Sequence, residues 1–156
     1  MCERFNIGEP LKEKVKKELS RKEYNRIVFG ETFPRNYVAV KLKEEYKSIK
    51  WGVKTDWSKN LIINAKLETI QQKPFFKKDF ITNRCVVLAT SYFEWNNEQK
   101  YEIQTNNDII YMAGLIKIIY GQVELVILTG EAQAEHYLDG SDWILTHERQ
   151  HEFFVR

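Results

Sequence analysis

Cysteine is scarce: the 156 residues hold only Cys2 and Cys85. This excludes a disulfide-stapled secreted scaffold, and the two do not stand at a metal-ligand spacing. A reducing, cytoplasmic setting with unlinked thiols is expected. No apolar run approaches the roughly 18 residues of a membrane helix, so no membrane partner is expected. The start has no basic stretch followed by an apolar segment and a small-residue cleavage site, so no secretory signal is expected. Proline (3) and glycine (7) are few, and there is no repeat, linker or low-complexity tract. Net charge is nearly absent. Lys plus Arg is 24 and Asp plus Glu is 22, leaving +2, too little alone to argue for nucleic acid. The cations between Lys12 and Arg26 alternate with Glu13, Glu18 and Glu23, which reads as a solvated helix face.

What is present is an ordinary globular balance, 43% apolar and 29% charged, in a length that fits one domain over 1–156 with a real core. Pro10 suits a first helical turn, and Leu11, Val15 and Leu19 recur on one face, predicting a helix over about Pro10–Asn25. Tyr37–Leu42 reads as a strand. Residues 43–60 are polar and mixed, with Trp51 and Trp57 standing out. Leu61–Ala65 is a short extended piece, and Pro74 opens a short helical turn carrying Phe75, Phe76 and Phe80. From Cys85 the pattern turns to β: Cys85–Ala89, Ser91–Trp95, Tyr101–Gln104, Ile109–Tyr120 (interrupted by Gly114) and Val123–Thr129. Turns fall at Asn96–Gln99, Asn106–Asp108 and Gly121-Gln122. Short strands with Asn and Gly turns imply a mostly antiparallel sheet or small closed barrel. Short helices are expected over Glu131–Tyr137 and Glu148–Val155. The fold class is α+β, a strand-rich, barrel-like core with peripheral helices.

Cys2 directly follows the initiator Met, which is usually trimmed before a small side chain. The product carries an α-amine and a thiol on adjacent carbons. The amine titrates near ~8 and the thiol near ~8.5, so both reach nucleophilic forms around neutral pH. Such a pair traps an aldehyde: the amine forms a Schiff base, and sulfur closes on the imine carbon to give a thiazolidine. An internal cysteine cannot do this, because its nitrogen is an amide.

Position alone would not single Cys2 out; an ordered set of motifs does. MCERF at 1–5, KWGV at 50–53, INAKLET at 63–69, RCVVLA at 84–89, YFEW at 92–95, AGL at 113–115 and ILTGEA at 127–132 follow one another along the chain. The set resembles the SRAP (SOS-response-associated peptidase) domain family, whose members crosslink to abasic sites. The resemblance covers nearly the whole chain. It implies that Cys2 is the nucleophile and that Glu94 is the general acid/base that helps the closed abasic sugar open. It implies that Asn64 hydrogen-bonds near the nucleophile and the sugar. Arg4 and Lys66 would hold phosphates and Trp51 would support unstacked bases, with Pro34 and Thr129 also on the DNA-binding surface. The implied partner is single-stranded DNA with abasic sites, met by a monomer without metal or organic cofactor. Weak lyase activity through the Schiff base is a further implication.

The chain departs from the family pattern at three places. Glu3 replaces the glycine after the nucleophile, and Lys66 replaces an arginine, keeping charge but losing the bidentate fork. The His-x-Arg-Met-Pro motif is absent; Leu138 stands at its histidine, and His136, two residues earlier, is the substitute assigned. Two rival functions follow from the residues. One is a single-stranded DNA-binding module that keeps the contacts and has lost the chemistry. The other is a zinc metalloprotease built on His147-Glu148-Arg149-Gln150-His151, which fits H-E-x-x-H. Only five residues follow that segment in the sequence, so it lacks a downstream third ligand. An amphipathic helix packing Phe153, Phe154 and Val155 is the preferred reading there.

Overall fold

The computed structural model describes residues 2–130 and the short strand Ile144–Leu145. In chain order the strands are β1 (Phe5–Ile7), β2 (Gly30–Thr32), β3 (Tyr37–Lys41), β4 (Tyr46–Trp51), β5 (Asn64–Lys66), β6 (Arg84–Ala89), β7 (Ser91–Asn96), β8 (Gln99–Ile103), β9 (Ile110–Ile119), β10 (Gln122–Thr129) and β11 (Ile144–Leu145). The helices are α1 (Glu9–Glu18), α2 (Arg21–Arg26) and α3 (Pro74–Thr82). The helices expected over Glu131–Tyr137 and Glu148–Val155 lie outside the described residues.

Strands β6, β3, β4, β10 and β9 form a closed ring, because β9 pairs with both β6 and β10. This is the expected barrel. Closure is not wholly antiparallel: β4 and β10 meet in parallel, and β5 joins the outer edge of β10 in parallel. Two faces of packing explain the continuous apolar runs. Along β6, Cys85 and Val87 belong to the cluster that includes Phe5, Leu11, Trp51 and Leu125. Val86 between them belongs to a second cluster with Phe76, Leu115, Val126 and Leu128. A strand buried on both faces loses the polar alternation of a half-exposed one.

Gly114 does not interrupt β9. A Cβ there would meet the Cys85 Sγ at 3.1 Å and the Val126 carbonyl oxygen at 3.1 Å. Glycine is what lets both neighbouring strands approach. The β9–β10 turn centres on Tyr120 and Gly121, at φ 51 and 78, rather than on Gly121-Gln122. The β7–β8 turn uses Asn97 and Glu98 at φ 51 and 66. Positive φ at both central positions matches the right-handed twist of the flanking strands.

The single helix expected over Pro10–Asn25 is two. Leu19 leaves the helix at ψ 149, and the Ser20 hydroxyl accepts from the Glu23 N–H at 3.2 Å, capping α2. A serine competes for backbone donors and so starts a helix more readily than it continues one. A second, four-stranded sheet runs in the order β2-β1-β7-β8. Its first two strands, and β4 within 43–60, are elements that sequence patterning did not show.

Candidate functional site

Asn64 lies in β5, whose parallel register with β10 sets Asn64 opposite Ile127 and Lys66 opposite Thr129. Its Nδ2 donates to the Cys2 carbonyl oxygen at 2.9 Å. This one bond ties the N-terminus to the edge of the barrel. The Asn64 Oδ1 is buried and accepts no hydrogen bond among the described residues. An orphaned acceptor at such a place is costly and ready for a donor that arrives with a ligand. Cys2 is itself buried, with its Sγ 3.8 Å from the Arg4 carbonyl oxygen. Neither Cys2 nor Cys85 is in a disulfide. Burial pushes the Cys85 thiol above its ordinary range, which makes it inert packing.

The second sheet separates the sequence-predicted residues by face. Phe5 pairs with Tyr92 and with Thr32, and all three are buried. Side chains alternate along a strand, so Glu94 shares that buried side with Tyr92. Phe93 and Trp95 point to the other face, where Trp95 is directly opposite Lys100 across the β7–β8 pair. Arg4 is on that outer face too. Its guanidinium lies 4.5 Å from the Phe33 ring centre and 5.4 Å from that of Trp95. Its Nη1 is 3.4 Å from Glu31 Oε1, and Lys100 Nζ is 2.5 Å from the same oxygen. The bond from Lys100 is the main cause holding the Glu31 carboxyl below the usual glutamate range.

Trp51 is not where the resemblance implies. It is 0% exposed, packs at 5.0 Å on Phe5 and donates its indole N–H to the Ile63 carbonyl oxygen at 3.0 Å. It is a core side chain that props up the segment leading into Asn64, and its ring faces are unavailable to a base. Trp57, by contrast, is 69% exposed and edge-on to Phe75 at 5.7 Å. Its place in the polar stretch 43–60 made Trp57 stand out in sequence, but exposure cannot be read from sequence.

Pro34 is half-buried in a tight turn where Arg35 takes φ 85 and the Asn36 N–H donates to the Phe33 carbonyl oxygen at 3.1 Å. Lys66 is exposed and Thr129 nearly buried. Glu3 is exposed. His136 and the His147–His151 segment lie outside the described residues. Among the described residues no group of three or more His, Cys, Asp or Glu side chains could hold a metal. No helix among them is long and apolar enough to cross a membrane.

The family model of the SOS response associated peptidase (SRAP) matches residues 1–151. The chain belongs to the SRAP family. Among relatives, it is 36% identical over 52 residues to the abasic site processing protein YoqW of Bacillus subtilis (strain 168), covering 30% of this chain and 23% of that protein. It is 30% identical over 96 residues to the abasic site processing protein YMR114C of Saccharomyces cerevisiae, covering 55% of this chain and 24% of that one. These matches span about a quarter of the relatives' own lengths. The fold is similar to a solved protein of Bacteroides thetaiotaomicron, with TM-score 0.77 and 21% identity over 98% of this chain and 81% of the other. A phage-related protein of Bordetella bronchiseptica gives TM-score 0.66 and 23% identity, over 98% of this chain and 81% of the other. Both likenesses place the SRAP barrel and its flanking sheet in one known architecture.

Proposed function

We propose that this SRAP domain processes abasic sites by capturing them covalently in single-stranded DNA through Cys2, once Met1 has been removed. The observation that carries the reading is the 2.9 Å bond from Asn64 to the Cys2 carbonyl oxygen, which joins two family-matched residues from separate motifs far apart in sequence. The α-amine of Cys2 adds to the ring-opened sugar aldehyde and loses water, giving an imine. The thiol sulfur then adds to the imine carbon, and its proton passes to nitrogen, leaving a thiazolidine. Glu94, on the buried side of the second sheet, serves as the acid that opens the sugar, a role that needs a carboxyl group able to hold a proton. The orphaned Asn64 Oδ1 accepts from the amine or a sugar hydroxyl. His136 is the substitute for the family histidine in this reading. The imine also acidifies the adjoining sugar carbon, so slow strand cleavage by β-elimination accompanies capture.

Arg4 and Lys66 contact phosphates, with Pro34 and Thr129 beside the strand. The stacking role belongs to exposed Trp57 rather than buried Trp51. Phosphate contacts plus base–aromatic stacking give binding without sequence preference. The names of the relatives, abasic site processing proteins, support the substrate class.

The test is a denaturing gel of wild type and Cys2→Ala with an oligonucleotide containing one abasic site. A heat-stable shifted band for wild type alone is the expected result. Retained DNA affinity with no band, from protein lacking Met1, would instead favour the non-covalent binding module.

A further inference from the structure

The outer face of the β2-β1-β7-β8 sheet holds an arrangement that the capture chemistry leaves unused. Arg4, just ahead of β1, and Lys100, on β8, flank β7, and both reach a single oxygen, Glu31 Oε1, at 3.4 and 2.5 Å. The side chains of all three are about one-third exposed. Two aromatic rings frame them. Phe33 is 41% and Trp95 38% exposed. Arg4 lies over both rings, and Lys100 lies 4.4 Å from the Phe93 ring centre and 5.9 Å from that of Trp95.

Cross-strand register explains the assembly. Trp95 faces Lys100, and the two-residue period puts Arg4, Glu31, Phe33, Phe93 and Trp95 on one side. Two cations that converge on one carboxylate oxygen, between exposed rings, match the chemistry of one phosphate and one neighbouring base. A buried ion pair would be structural; this one is accessible and its acid is replaceable.

We propose that Arg4, Lys100, Phe33 and Trp95 form a subsite for one backbone phosphate and one base of single-stranded nucleic acid, and that Glu31 holds the phosphate's place until the strand displaces it. The inference rests on the DNA-binding reading above and adds to it three residues, Lys100, Phe33 and Trp95, and a gate, Glu31. Glu31 makes entry competitive: its carboxylate must give up two charge-assisted bonds when phosphate arrives. The cost screens out weak anions and favours a strand that engages phosphate and base together.

The experiment measures binding of a fluorescent oligo-dT without abasic sites, by anisotropy over a range of salt, for wild type, Glu31→Gln, Lys100→Gln and Phe33→Leu. All three positions are at the surface, and thermal unfolding of each variant checks that the fold persists. Glu31→Gln should tighten binding about two- to fivefold at low salt, the size expected of an exposed ion pair. Lys100→Gln should weaken binding and reduce the slope of log affinity against log salt by roughly 0.7, one phosphate contact on a single strand. Phe33→Leu should weaken binding at least about fivefold through lost stacking. An unchanged affinity in Glu31→Gln, or an unmoved salt slope in Lys100→Gln, overturns the subsite. Failure of the underlying reading looks different, because then wild type neither binds the oligonucleotide nor forms an adduct with one that carries an abasic site.

Discussion

Trp51 and Trp57 stand close together in sequence and have opposite fates. Trp51 fills the core between Phe5 and the Ile63 carbonyl, whereas Trp57 presents most of its ring to solvent. Trp51→Ala should cost about 3–5 kcal/mol of stability, as large-to-small core changes do. Trp57→Ala should change stability by less than about 0.5 kcal/mol and weaken single-strand binding by roughly 1–3 kcal/mol. Denaturant unfolding and oligonucleotide titration of both variants separate the roles, and the reverse pattern would refute the assignment. Sequence could not tell the two apart, because each is a tryptophan in a mixed polar stretch and only the end of β4 decides which is covered. At Asn64 the sequence was more informative, since the resemblance of the Asn-Ala motif implied a place near Cys2 and the structure has Asn64 bonded to the Cys2 carbonyl oxygen. Asn64→Asp removes that donor at constant size. The adduct should then form about ten- to a hundredfold more slowly, the effect of a misplaced reacting group, as single-turnover gels would report. A rate equal to wild type would remove Asn64 from the account.

At the scale of elements, two polar contacts pin helices to the barrel. The Glu23 carboxylate of α2 accepts from both the backbone N–H and the hydroxyl of Ser48 on β4. Burial pushes the Glu23 carboxyl upward, but the two Ser48 bonds together with Lys47 and Arg26 outweigh it, so the net shift is downward. A carboxyl depressed by folding stabilises the fold above its unfolded value and loses that contribution as pH falls through its folded value. Glu23→Gln should therefore melt below wild type at pH 7, by about 1 kcal/mol for bonds to a charged acceptor. The gap should close as pH falls below the ordinary glutamate value of ~4.3. A gap that stays constant with pH would contradict the tether. On the opposite side, Lys117 of β9 reaches Asp79 at 2.9 Å and also donates to the Phe75 carbonyl, with both ionic side chains largely buried. Lys117→Met leaves Asp79 a buried, uncompensated charge and should cost about 3 kcal/mol. The Lys117→Met/Asp79→Asn pair should cost clearly less than the sum of the singles; additivity in denaturant midpoints would deny the pairing. Neither tether was visible beforehand. Glu23 read as one more solvated helix charge, and Lys117 was not singled out within its apolar strand.

At the scale of the whole molecule, the regular strands and Asn and Gly turns from Cys85 onward announced a sheet or small barrel, and the structure shows those strands buried on two faces. Three-residue strands such as β1 and β2 carry too few side chains to show a period, and so the second sheet was hidden. The parallel seam between β4 and β10 was equally illegible, since pairing direction leaves no local mark. The two faces of the second sheet divide Glu94 from the outer Arg4–Trp95 surface, which is why the proposed function leans on it. The proposed capture by Cys2 would draw on three distant pieces of chain: the N-terminus, β5 with Asn64, which the structure brings to the Cys2 carbonyl, and β7 with Glu94. The most direct test is the intact mass of the complex formed with an abasic oligonucleotide, followed by the mass of its N-terminal peptide. The account predicts the sum of oligonucleotide and Met1-trimmed protein less one water, with the addition localised to Cys2. An adduct located at a lysine, or an equal yield from Cys2→Ala, would contradict it.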